Sequence, residues 1–143
     1  MIVENIFEDK IFPELKKYVE EKSIYKPTVT KAMPQQSKVF PIVPVKLLPV
    51  TNKYNNLSYG EETYTFGIEI NVYSMTSGKA SKRTVCNEVT KHVVNYFKNN
   101  YHVTIKTELD AINADSNVHR NIVKITGKLD TKYGLDNLVI YPN

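Results

Sequence analysis

The stretch Glu61-Glu-Thr-Tyr-Thr-Phe-Gly-Ile-Glu-Ile-Asn-Val-Tyr-Ser74 decides the fold. Tyr64, Phe66, Ile68, Ile70 and Val72 fall on every second position, with Thr65, Glu69 and Asn71 between them. That alternation predicts a strand with one buried and one wet face. Ser74-Met75-Thr76-Ser77-Gly78 is rich in turn formers and ends it. From Lys79 the period turns helical: Val85, Val89 and Val93 recur four apart, and Cys86, Thr90 and Phe97 widen the stripe. After Asn99-Asn100 the period returns to two in Tyr101, Val103, Ile105, Thr107 and Leu109. A strand, a helix and a strand of these lengths bury their apolar sides together by laying the helix on the sheet.

Working outward, Met1 to Lys22 reads as a helix, with Ile6, Phe7, Ile11, Leu15, Tyr18 and Val19 three or four apart. Pro13 lacks the N–H of a helix interior, so the reading requires a kink there or a helix starting afresh with Pro13 at its first position. Ser23 to Ser37 has no clear period and reads as an extended surface connection. In Lys38 to Val50 both parities are apolar, and Pro41, Pro44 and Pro49 cannot donate to a ladder. This predicts an edge strand in need of cover, either by a partner subunit or by its own prolines. Thr51 to Gly60 reads as a polar hairpin tip carrying Tyr54 and Tyr59. Ser77 is the expected N-cap of the central helix. Asp110 to Asn117 reads as a loop, and Arg120 to Thr131 as a last long strand whose Gly127 leaves a gap for a bulky neighbour. The expected fold is α+β, a single domain over 1–143 in the order α-β-β-α-β-β. A mainly antiparallel four-stranded sheet carries a long hairpin (38–74) and a strand pair (101–131), packed by helices over 1–22 and 77–99; 132–143 is a tail.

At 143 residues, 41% hydrophobic and 24% charged, the composition is that of one ordinary globular domain. No apolar run approaches the roughly 20 residues of a membrane span, and Met1 to Asn5 lacks the basic start of a signal peptide. The single cysteine excludes an intrachain disulfide and fits a reducing compartment. The net charge of +4 is modest but unevenly spread. Between Lys22 and Gly60 there is no acid, and the central helix sets Lys79, Lys82, Arg83, Lys91 and Lys98 against Glu88 alone. Such segregation suits either a solvated basic face or a subunit whose unlike faces meet a neighbour.

Chemistry is hard to find. His92, His102 and His119 have no ligand-like spacing for zinc. Cys86 lies on the apolar stripe, where free cysteine acts as a small hydrophobe. The five glycines are scattered, so no phosphate-cradling loop occurs. No catalytic residue, cofactor site or metal site is expected, and the reading is not that of an enzyme. A nucleic-acid module is the rival, with the helix basics and Tyr96, or the lysine-only stretch with Tyr25 and Tyr54, tracking phosphates and stacking bases.

The order helix, long hairpin, helix and antiparallel pair resembles the tail terminator (tail completion) proteins of long-tailed bacteriophages, the lambda-like minor tail subunit group. The residues carrying the likeness are Thr63 to Ser74, the small and basic opening Ser77-Gly-Lys-Ala-Ser-Lys-Arg83, and Asn121 to Asp130. The resemblance implies a structural virion protein at the head-proximal neck, assembled in the host cytoplasm. Its partners would be itself as a homo-hexamer, the tail tube protein, a head-tail connector or head closure protein, and the tape-measure protein. DNA would pass through the ring without specific binding, and no membrane or cofactor would be involved. The expected subunit contacts are Val43, Val45, Lys53, Tyr54 and Tyr59. Lys79, Lys82 and Arg83 are expected to face a neighbour or the lumen. Another neck protein, a head closure or connector adaptor, is the near alternative.

Overall fold

A computed structural model describes residues 2–31, 39–56 and 61–130, with the backbone alone for Ile2, 51–56, 61–63 and Asp130. The first helical region is three pieces: α1 (Ile2–Ile6), a π-helical turn (Phe7–Ile11) and α2 (Phe12–Lys22). The π-helical turn ends just before Phe12, and α2 starts afresh with Pro13 in its first turn. The wider turn keeps Phe7 and Ile11 on the buried side, facing the same core as Leu15 and Val19.

Six strands follow: β1 (Thr28–Thr30), β2 (Ile42–Leu47), β3 (Thr51–Asn56), β4 (Glu61–Ser74), β5 (Thr104–Glu108) and β6 (His119–Asp130), with α3 (Lys82–Asn100) between β4 and β5. The sheet runs β1-β2-β4-β6-β5, and β3 continues beside β2 along β4. The α+β class stands, but the sheet is mixed rather than four-stranded and antiparallel. β1 pairs with β2 in parallel, from Thr28↔Ile42 to Thr30↔Pro44. The expected surface connection therefore contains a strand, and β2 is not an edge strand at its start. Three residues are too short for a period to appear. Two side chains of α2 hold β1 instead: Val29 N donates to Glu20 Oε2 at 3.0 Å, and Lys16 Nζ donates to Val29 O at 3.0 Å.

β2 and β3 form one bent arm against β4. Their register advances by one residue between Leu47↔Ile68 and Thr51↔Thr65, around Pro49. So Thr51 to Asn56, read above as loop, is strand. β4 and β6 make the central pair, in continuous register from Thr63↔Asp130 to Ser74↔His119. Even-numbered residues of β4 and odd-numbered residues of β6 point to the helices: Ile68, Ile70, Val123 and Ile125 are buried there, with Val43 and Val45 from β2. α3 adds Val89, Val93 and Phe97 to this core. Among the described residues helices cover one sheet face only, giving two layers. Among the described residues no helix is long and apolar enough to cross a membrane.

Candidate functional site

α3 begins later than Ser77 suggested. Ser77 and Ala80 close on each other through two backbone hydrogen bonds, 3.0 and 2.9 Å. Gly78 turns the chain between them at φ +56°, a conformation open to glycine without a Cβ penalty. Ser81 is the N-cap: its side chain accepts from Thr84 N at 3.2 Å. Lys82 and Arg83 thus stand in the first helical turn beside the loop that joins β5 to β6.

Between that turn and the loop lies a cleft of about 230 Å³, lined by Lys82, Arg83, Asp110, Asp115, His119 and Arg120 among others. Lys82 Nζ donates to Ser116 O at 2.5 Å. Asp110, held in the left-handed region at φ +57°, meets Arg83 Nη2 at 3.3 Å through one oxygen and His119 Nε2 at 2.8 Å through the other. The His119 contact has ion-pair distance without hydrogen-bond alignment. Arg120 donates from Nε to Asn71 Oδ1 at 2.9 Å and from Nη1 to Ile112 O at 3.0 Å, and its guanidinium lies 5.7 Å from the centre of the Tyr73 ring.

Asp110 is tied by its backbone to a polar network centred on Asn121. Asn121, fully buried, accepts from Asp110 N at 3.1 Å and donates to Asn87 Oδ1 and Thr90 Oγ1, each at 3.0 Å. The Thr90 hydroxyl donates to Cys86 O at 2.7 Å, and the Ser74 hydroxyl donates to Lys82 O at 2.6 Å. Cys86 Sγ donates to Val72 O at 3.2 Å, and burial pushes its thiol up to about 11. A sulfur so placed is a core group with its proton on, not a nucleophile. The arrangement fastens a loop to a helix N-terminus, and its cations are engaged by that task.

The expected site residues scatter. Lys82 and Arg83 line the cleft, and Lys79 is exposed on the turn before it. Val43 and Val45 are 0% and 1% exposed, filled over by this chain's own helices, so they offer no surface to a second subunit. Lys53 and Tyr54 lie on β3 opposite Thr63 and Glu62 rather than at a hairpin tip. Tyr59 and the 132–143 tail lie outside the described residues. Tyr96, considered as a stacking ring, is buried and shares a 3.3 Å hydroxyl contact with Tyr101. Asp110, His119 and Arg120 were missed, because the β5–β6 pairing brings Asp110 to the other two and only the pairing of β6 with β4 sets all three beside α3. No group of three or more metal-ligating side chains occurs among the described residues. Compared with known proteins, the chain matches no protein-family model and no curated protein.

Proposed function

We propose that the chain is a ring-forming structural subunit of a phage neck. It caps the head-proximal end of the tail tube, ends tube growth and joins the tail to the head connector. The coarse α+β plan, in which β4, α3 and the β5–β6 pair follow one another as in the expected order, supports this reading, and one observation carries it. β5 is an edge strand bonded only to β6 among the described residues, and the loop after it displays Leu109 at 55% and Ile112 at 91% exposure. An open strand edge followed by bare aliphatic side chains is a surface that a second copy covers. Contact between copies therefore moves from the proline-rich strand to β5 and its loop. Successive copies joined head to tail through such a surface close into a ring when the rotation between neighbours divides a full turn.

The test is assembly. Light scattering and negative-stain microscopy of purified protein, alone and with tail tube protein, should give hexamers or capped tube ends. Ile112→Asp should return monomers. Protein that stays monomeric at every concentration and ignores tubes overturns the reading.

A further inference from the structure

The face of the sheet turned away from the helices carries a pattern the ring reading does not use. The register places Lys46 opposite Glu69, Glu69 opposite Lys124, and Lys124 opposite Lys106, one row across four strands. Four residues along β6, on the same face, is Lys128, opposite Thr65. All four lysines are exposed, and none makes an ion pair among the described residues. Among residues with described side chains the acids on this face are Glu69, half-buried, and exposed Glu108; the register gives Glu61 and Asp130, at the far end of β4 and β6, the same parity.

Like charges directly opposite on neighbouring strands destabilise a sheet. The Lys106–Lys124 pair does so without contributing to the core, which lies on the other face. Strands about 4.8 Å apart bring these ammonium groups close enough for one anion to bridge them. From this row outward the face offers Thr65, Gly67, Thr104, Thr126 and half-buried Leu48. That part of the face lacks the aromatic and aliphatic anchors that form the centre of a protein interface; Tyr73, with Arg120 over its ring, and buried Ile122 lie on the other side of the row. A polyphosphate needs none of these, because its affinity comes from charge and released counterions. We infer that this sheet face, through Lys46, Lys106, Lys124 and Lys128, docks the phosphodiester backbone of nucleic acid without reading its sequence. The inference does not rest on the ring reading, since the lysines belong to one chain.

Fluorescence anisotropy of labelled duplex DNA of scrambled sequence, titrated across salt concentrations, tests it. Four phosphate contacts should give a slope of log affinity on log salt of about −3.6. Lys106→Ala with Lys124→Ala should flatten that slope by about 1.8, because each lost contact removes about 0.9. Lys82→Ala with Arg83→Ala, on the cleft, should leave it unchanged, as should a change of DNA sequence. The Ile112→Asp chain should bind equally well, which separates failure here from failure of the ring. Absence of binding at low salt overturns the inference. So does a slope that follows Lys82 and Arg83 instead, or equal affinity for polyglutamate, which would mark an acidic protein as the partner.

Discussion

Phe66 lies across Gly127, its partner on the neighbouring strand: a Cβ added at 127 would stand 2.7 Å from Phe66 Cζ. The ring fills the space that glycine leaves on the core face. Gly127→Ala forces Phe66 out of its place and should cost about 1–3 kcal/mol, as overpacked cores do. Denaturant unfolding measures it. In the Phe66→Leu background the same substitution should cost less, and the difference is the coupling between the two positions.

Glu20→Ala should destabilise by about 1–2 kcal/mol, because it strips the acceptor from Val29 N on β1. The effect should be local. Hydrogen exchange at Val29 should accelerate by more than exchange in β4 or β6, since β1 otherwise rests on three residues of parallel pairing. Uniform acceleration across the sheet would contradict this role.

Asn121→Leu has similar bulk but takes the acceptor from Asp110 N and the donor from Asn87 Oδ1 and from buried Thr90 Oγ1. The expected loss is about 1–3 kcal/mol, the toll of buried groups left unpaired. Asp110 should also lose its left-handed geometry. The readout is proteolysis between Leu109 and Val118 in a chain whose core strands stay protected.

Stability should fall in alkali. Burial raises the Cys86 thiol from 9.0 to about 11 and raises the Tyr96 and Tyr101 hydroxyls above 10.0, Tyr96 also through its bond with Tyr101. A group raised in the folded state keeps its proton there while the unfolded chain ionises. For Cys86 the contribution is whole below pH 9 and is lost progressively up to about pH 11. In that window the loss amounts to about 2 kcal/mol. Denaturant midpoints against pH should therefore decline faster for the native chain than for Cys86→Ala, with the tyrosines extending the decline in both.

Long periodic segments were legible from the residues alone. β4, β6 and α3 announce themselves by alternation or a four-residue repeat, and Gly127 by the gap it makes in one. β1 was not legible, because three residues carry no period and its place is set by Lys16 and Glu20 on another element. β2 looked like an edge because its prolines cannot donate, yet Pro44 faces β1, where the pairing does not depend on every N–H. The start of α3 was misread at Ser77, since two serines precede it and only tertiary packing chooses Ser81. The cleft was half legible: Lys82 and Arg83 stood out as a basic opening, whereas Asp110, His119 and Arg120 join them only through the β4–β6 register.

The central pair of strands has one further consequence. β4 leaves the ribosome well before β6, and α3 and β5 must be made in between. Until His119 to Asp130 arrives, the flank of β4 from Thr63 to Ser74 is an open template of twelve residues with an oily side. Synthesis order thus imposes a wait on the nascent chain, and closing so distant a pair is intrinsically slow. The exposure of that flank during translation is built into the wiring of this fold, whatever the finished protein assembles with.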